Sequence, residues 1–149
     1  MIWFGGRRPP LEEVQKLQQG TINEHIGVQV SEIGDDYLCG TMPVDERTRQ
    51  PYGVLHGGAT VVLAETLGSI SAALSVDPAR YRCMGLEVNA NHLRAVREGI
   101  VTGTARPFHQ GRTTQVWGIE VTDEQGRRTA VCRITMAVLD LQARAEARG

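Results

Sequence analysis

A single carboxylate, Glu65, lies in an apolar segment of the chain, QPYGVLHGGATVVLAETLGSI (Gln50–Ile70). No basic residue shares its face of the predicted helix, where the neighbours are small or apolar: Gly58, Val61, Val62, Gly68, Ser69 and Ala72. Burying an unpaired carboxylate costs several kcal/mol unless hydrogen bonds or a partner compensate. Two interpretations remain open: an ion pair with a distant arginine, or a poised base or nucleophile. We favour the second because other reactive groups lie nearby.

The residues that begin this helix are suited to chemistry at a carbonyl group. Gly57 and Gly58 have no side chains, so a ligand carbonyl can approach the free N–H groups of the first turn. Those N–H groups and the helix dipole stabilise developing negative charge. His56 can donate to the same oxygen, and Gln50 is a further neutral donor. Taken singly, the histidine is typical of a loop and the glycines of tight packing, but their occurrence with Glu65 favours a reactive site.

Other chemistries find less support in the sequence. The segment GSISA is not a nucleophile elbow, and no glycine-rich phosphate-binding motif is present. We expect no metal site, because the candidate ligands lack a metal-binding spacing: His56, Glu65, His92 and His109. A formal net charge of -1 argues against a nucleic-acid partner.

The cysteines and the N-terminal residues predict a cytoplasmic protein. Cys39, Cys83 and Cys132 are odd in number and far apart, which favours buried free thiols in a reducing compartment. The start MIWFGGRRPP lacks the apolar run of a signal peptide. We expect no stretch to span a bilayer and therefore no membrane partner.

The elements that must position these groups follow from residue periodicity. We expect one domain, 1–149, with about 140–149 as a tail that is either a frayed helix or disordered. The patterns predict a helix, two strands, a long helix and four strands, at 11–18, 27–33, 37–44, 57–74, 83–93, 99–108, 112–122 and 127–139. Strands joined by short turns imply an antiparallel sheet whose apolar face the long helix covers, an α+β class. The open sheet edges favour pairing with a second copy.

Alternation along three of the strands assigns residues to faces. In 83–93 one face, expected to be buried, holds Met84, Leu86, Val88 and Ala90, and the other face is polar. In 112–122 one side holds Trp117, Ile119 and Val121. In 127–139 one face holds Ala130, Cys132, Ile134, Met136 and Val138.

The motifs QPYGVLHGGATVVLAETLGS and GLEVNANH resemble those of the hotdog-fold acyl-CoA thioesterases of the phenylacetate and hydroxybenzoyl-CoA type. Within that family the chain resembles the dihydroxynaphthoyl-CoA hydrolases and their paralogue, a thioesterase that clears misacylated aryl carrier protein. The similarity extends to about Leu139, and Q-P-[FY]-G-x-L-H-G-G followed by A-E is far narrower than H-G-G alone. The resemblance implies a hotdog fold, a long central helix wrapped by a curved antiparallel sheet. It also implies homodimers that assemble into homotetramers, with active sites between subunits.

The same resemblance implies roles for individual residues. Glu65 is the catalytic carboxylate, contributed by the partner subunit, and either activates water or attacks the thioester to give a mixed anhydride. The backbone N–H of Gly57 polarises the carbonyl, assisted by His56 and Gln50, and Ser69 helps to place the attacking water. No separate cofactor is implied, because coenzyme A is part of the substrate.

Two segments are expected to bind the nucleotide end of coenzyme A, whose phosphates require cationic and N–H donors. Solvated loops are the alternative for both. The family resemblance supports both segments, together with Gly85, as contacts of coenzyme A. The first segment comprises His92, Leu93, Arg94 and Ala95, and the second comprises His109, Gln110, Gly111, Arg112, Thr113 and Thr114.

Two further functions remain as alternatives. One is a sensor that binds acyl-CoA without hydrolysing it, although a pure binder gains nothing from a desolvated carboxylate. The other is a hotdog dehydratase acting on hydroxyacyl carrier protein, which the spacing from Gln50 to Glu65 fits less well. The sequence leaves open the acyl group, with aryl groups as one candidate, and whether coenzyme A or an acyl or aryl carrier protein is the thiol.

Overall fold

The computed structural model describes residues 1–146, the last three of them by their backbone alone. After a 3-10 turn at Phe4–Gly6, the helices are α1 (Leu11–Lys16), α2 (Ile22–Ile26), α3 (Gly57–Leu74) and α4 (Leu141–Glu146). The strands are β1 (Gln29–Ile33), β2 (Leu38–Pro43), β3 (Tyr81–His92), β4 (Ile100–Gln110), β5 (Thr114–Thr122) and β6 (Arg128–Asp140). Of the predicted tail at about 140–149, the first position ends β6 and the next six form α4, while 147–149 lie outside the described residues.

The strands form one antiparallel sheet in the order β1-β2-β4-β5-β6-β3, so β1 and β3 are its edges. Helix α3 lies across one face of this sheet and contacts β2 through β6. The predicted α+β class, with one long helix wrapped by an antiparallel sheet, is confirmed. The residues predicted to share one face of β5 and one face of β6 are all buried in the structure.

A pair of glycines allows α3 to approach the sheet closely. Gly40 on β2 and Gly103 on β4 are register partners, and fully buried Leu67 of α3 lies over both. A Cβ atom built on either glycine would lie 2.6 Å from a Leu67 methyl group. Any larger residue at these positions would therefore push the helix away from the sheet, and with it Glu65 two positions earlier.

The predicted faces of β3 were wrong in the first half of the strand. Met84 and Leu86 are 57% and 64% exposed, whereas Val88 and Ala90 pack against the core as expected. The pairing of β3 with β6 shifts register between Gly85 and Glu87, which marks a β-bulge. Because a bulge adds one residue to one strand, the side chains facing the helix change from odd to even positions across it.

Sequence periodicity missed α2, a helix of only five residues. Its local signals are nevertheless present: the Thr21 hydroxyl accepts from Asn23 N–H at 3.2 Å, and Gly27 ends the helix with φ at 77°. The hydroxyl of buried Thr66 on α3 donates to Asn23 Oδ1 at 2.7 Å, so this short helix is hydrogen-bonded to the long one.

The expectation that no stretch could span a bilayer was wrong, because one helix is long and apolar enough to do so. Helix α3 has 18 residues and is apolar enough to meet that criterion. In the fold it is the core helix, with Leu63, Ala64 and Leu67 buried beneath the sheet, and such helices have the same composition as membrane spans. Its opposite side, with Val61 and Val62, is only half-buried within one chain.

Candidate active site

His56 caps the N-terminus of α3 through its imidazole ring. The Nδ1 atom accepts a hydrogen bond from Gly58 N–H at 2.8 Å. Because Nδ1 is the acceptor, the proton of the neutral ring is on Nε2, which is left as a donor. The His56 side chain is exposed, so this donor is available to a ligand.

Gly57 offers an unpaired backbone N–H at the same helix start. No acceptor for it occurs in the described part of the chain, as expected for the first residue of a helix. The ring of His92 lies beside this glycine: a Cβ built on Gly57 would be 2.9 Å from His92 Nε2. His92, at the end of β3, thus lies at the start of α3, next to the proposed carbonyl site.

Gly57 and His92 border a cleft of about 370 Å³, which Gln50, Thr60, Leu93 and Arg94 also line. The side-chain Oε1 of Gln50 accepts from Tyr52 N–H at 2.9 Å. That hydrogen bond orients the amide, leaving its NH₂ group as the donor. The predicted donors Gln50 and Gly57 therefore lie in the same cleft as the first of the two predicted coenzyme A segments, 92–95.

Glu65 lies farther along α3, half-buried beneath β3. Its Oε1 accepts a hydrogen bond from Ser69 Oγ at 3.1 Å, one helical turn away. Among the salt bridges between described residues, none involves Glu65. The alternative of an ion pair with a distant arginine thus finds no support among the residues whose side chains are described. Ser69 is also 3.9 Å from the sulfur of Met136, a contact that sequence patterns did not indicate.

Cys83 faces α3 from the same side of β3 as Gly85, and its Sγ donates to the carbonyl of Ala72 at 3.4 Å. Burial raises the pKa of this thiol. A thiol with a raised pKa is less often deprotonated at neutral pH and is therefore a poor nucleophile. Glu65 remains the better candidate for the reactive group on this surface.

The second predicted coenzyme A segment, 109–114, lies at the opposite end of the sheet from the first. It forms the turn between β4 and β5, where Gly111 N–H donates to the Thr114 carbonyl at 2.9 Å, and Thr113 contacts β6 near the Tyr81 end of β3. The twelve residues of β3 separate this end from His92, a distance of roughly 36 Å at about 3.3 Å per residue. One chain therefore does not bring the two segments together.

Gly85 belongs to neither segment, because it lies midway along β3 and directly against Glu65. The proximity of His92 to Gly57, and of Gly85 to Glu65, could not be found from spacing, since each pair is far apart in sequence. Within the described residues no group of three or more His, Cys, Asp or Glu side chains is arranged to hold a metal ion.

Comparisons with known proteins agree with this architecture. A sequence profile of the thioesterase superfamily matches residues 52–130, more than half of the chain. The chain is similar to the 1,4-dihydroxy-2-naphthoyl-CoA hydrolase of Escherichia coli (strain K12), with 46% identity over 139 residues that cover 93% of this chain and 100% of the relative. It is also similar to the proofreading thioesterase EntH of Cronobacter turicensis, with 46% identity over 139 residues, covering 93% and 99%.

Solved structures match over nearly the whole chain. A crystal structure of a mutant of thioesterase PA1618 from Pseudomonas aeruginosa superposes with a TM-score of 0.91 at 47% sequence identity, covering 95% of this chain and 100% of that one. Thioesterase HI1161 from Haemophilus influenzae superposes with a TM-score of 0.90 at 42% identity, covering 95% and 96%. The predicted family resemblance is confirmed, and the chain belongs to the thioesterase superfamily, with its hotdog fold.

Proposed function

We propose that this thioester hydrolase acts on acyl-CoA, releasing the free acid and coenzyme A, with Glu65 as the reactive carboxylate and Gly57 N–H as the group that polarises the carbonyl. The observation that carries the proposal is a half-buried carboxylate without a cationic partner in the described chain, on a helix whose glycine start leaves an N–H free. The relatives named as a naphthoyl-CoA hydrolase and a proofreading thioesterase support thioester substrates.

Glu65 and Gly57 of one chain are too far apart to act on one carbonyl group. Eight residue steps separate them along α3, which corresponds to about 12 Å at 1.5 Å per residue. A reactive group must come within hydrogen-bond or bonding distance of the atoms it attacks. We therefore infer that each site combines the helix start of one copy with Glu65 of another.

The edge strand β3 offers the surface for this pairing. It is the last strand of the sheet, has twelve residues and exposes Met84 and Leu86. An exposed edge of this kind favours pairing with another strand. Antiparallel pairing of two β3 strands about their middle would bring His92 of the second copy, and Gly57 beside it, next to the Tyr81–Gly85 half of the first, where Glu65 lies.

The same pairing would reunite the two predicted coenzyme A segments. Segment 92–95 lies at the end of β3, and segment 109–114 lies near the beginning of the strand. In an antiparallel pair the end of one strand is next to the beginning of the other. Segment 92–95 of one copy and 109–114 of the other can then bind one coenzyme A, with Arg94 and Arg112 as cationic contacts. Pairs of such dimers forming a tetramer are part of the same proposal, as is a cytoplasmic location.

The proposed reaction begins when the thioester oxygen accepts hydrogen bonds from Gly57 N–H and from Nε2–H of His56. These donors stabilise the negative charge that develops on the oxygen. By one route, Glu65 removes a proton from water, which attacks the carbonyl carbon. By the other, a carboxylate oxygen attacks to form a mixed anhydride that water then opens. In both routes the carbon–sulfur bond breaks and the sulfur of coenzyme A leaves as a thiolate that takes up a proton.

The experiment is release of free thiol from benzoyl-, hydroxybenzoyl-, naphthoyl- and fatty acyl-CoA, and from aryl carrier protein thioesters. We expect wild-type turnover on at least one acyl-CoA and a loss of at least about a hundredfold in kcat for Glu65→Gln, with the fold retained. Glu98→Gln changes an exposed carboxylate outside the site and is the matched control. Near-normal turnover by Glu65→Gln would show that Glu65 is not the reactive carboxylate. Activity on carrier protein thioesters alone would mean that the substrate is carried by a carrier protein and not by coenzyme A.

A further inference from the structure

The carboxylate of Glu65 lies against the backbone of β3 at Gly85. A Cβ atom built on Gly85 would be 2.7 Å from Oε1, 3.6 Å from Cδ and 3.8 Å from Oε2 of Glu65. Since a real Cβ cannot lie 2.7 Å from an oxygen without displacing it, the present carboxylate position requires a residue without a side chain at 85.

The β-bulge explains why position 85 faces the carboxylate. The register of the pairing between β3 and β6 shifts between Gly85 and Glu87, and Leu86 at the bulge is exposed. Up to the bulge the odd-numbered positions, Cys83 and Gly85, face α3. Gly85 is thus the last position on this half of the strand that faces the helix, and it does so at the level of Glu65.

One further group, the Ser69 hydroxyl, limits the movement of the carboxylate. Ser69 Oγ donates to Oε1 at 3.1 Å and lies 3.9 Å from the sulfur of Met136, which is the register partner of Gly85. The Oε2 atom has no hydrogen-bond partner among residues whose side chains the structure describes. One oxygen is therefore held against the strand, while the other is left to act.

We propose that Gly85 is a positioning residue for the hydrolysis, one that lets the Glu65 carboxylate lie against β3 with Oε2 directed at the reacting water or carbonyl. This inference rests on the proposed function of Glu65. It differs from a coenzyme A contact at Gly85, because it predicts an effect on the chemical step rather than on substrate binding.

The test is Gly85→Ala. The backbone torsion φ of Gly85 is not positive, so alanine can adopt it, and the three atoms nearest to the added methyl group all belong to Glu65. We expect kcat for acyl-CoA hydrolysis to fall about ten- to a hundredfold, because a displacement of about 1 Å can cost that much, while KM stays within about twofold. Melting temperature and oligomer mass should remain close to those of the wild type.

The matched control is Gly118→Ala, a strand glycine away from Glu65 whose added methyl meets the exposed ring of Phe108, which can move aside. It should keep wild-type kcat. In the Glu65→Gln background, Gly85→Ala should cause no further loss if it acts through the carboxylate. The contrary result is a raised KM for Gly85→Ala together with a loss of activity that the substitution also causes in the Glu65→Gln background. That result would assign Gly85 to coenzyme A binding and overturn the proposal.

A crystal structure of Gly85→Ala separates this inference from the proposed function. We expect the Glu65 carboxylate to be displaced from β3, whatever the substrate is. An unmoved carboxylate would overturn the positioning role even if the wild type hydrolyses acyl-CoA. Failure of the wild type on every thioester would count against the proposed function, while the carboxylate position in the variant would still decide the geometric claim.

Discussion

We propose two roles for the His56 side chain. Its Nδ1 caps the helix through Gly58 N–H, and this contact leaves Nε2–H free to serve as the donor that we propose for the thioester oxygen. A histidine is an unusual cap, since Asn, Asp, Ser and Thr are preferred at this position. The choice is explained if position 56 must supply a cap and a second donor on the other side of the ring.

Substitutions at position 56 can separate these roles. His56→Asn keeps an oxygen that can cap Gly58, but its shorter side chain does not place an N–H donor where His56 Nε2–H lies, so we expect near wild-type thermal stability and a kcat lower by about ten- to a hundredfold. His56→Ala loses both, and we expect a further destabilisation of about 1 kcal/mol. Urea unfolding at one fixed protein concentration and steady-state kinetics measure the two effects. Full activity in the asparagine variant would assign the histidine to capping alone.

Helix α3 and the sheet fit together through Leu67 and the glycine pair below it. One Leu67 methyl group lies 2.6 Å from where a Cβ atom of Gly40 would be and the other lies 2.6 Å from where a Cβ atom of Gly103 would be, so the side chain cannot move away from one without approaching the other. The position of the helix is therefore sensitive to the side-chain volume at Gly40, Leu67 and Gly103. The catalytic carboxylate proposed above is carried on the same helix.

We expect Gly103→Ala to destabilise the protein by about 1–3 kcal/mol through overpacking, and Leu67→Ala by about 2–5 kcal/mol through a cavity. In the double variant the new methyl group would occupy part of the space that Leu67 leaves. Its destabilisation should therefore be smaller than the sum of the two. Urea denaturation at equal protein concentration measures all three variants, and simple additivity would mean that the two residues do not share the space as described.

Element-scale features were predictable where they depend on neighbours in sequence. The bounds of α3 follow from its glycine start and its apolar residues, and the inward face of β6 follows from strict alternation. The bulge at Gly85 depends on pairing with β6, so the alternation of β3 gave the wrong face for Met84 and Leu86. Helix α2 was missed because five residues are too few to show a helical period.

At the scale of the molecule, one chain contains all parts of the proposed site but not in contact. Glu65 is about 12 Å from Gly57 along α3, and the two coenzyme A segments lie at opposite ends of the sheet. From the sequence, the helix start and Glu65 could be identified because both lie in one motif. Their proposed distribution between two copies could not be derived from spacing, because it depends on which sheet edge is open.

Complementation tests that distribution. Alone, Glu65→Gln should retain at most about 1% and His56→Ala at most about 10% of wild-type activity. After denaturation, mixing in equal amounts and refolding, hybrid dimers contain one site with intact Glu65 and His56, so we expect about a quarter of wild-type activity. Two wild-type samples refolded in the same way provide the control for recovery. Absence of recovered activity, with hybrids detected by mass, would mean that each site belongs to one chain.

The proposed pairing at β3 would make the activity of each chain depend on the chain it pairs with. Because each proposed site draws on two chains, a subunit damaged at both Glu65 and His56 would silence both sites of any pair it joins, including the half contributed by a sound subunit. In a cell that makes both kinds of chain, such a doubly altered gene copy would act as a dominant inhibitor. A copy altered at one position would leave every mixed pair with one working site.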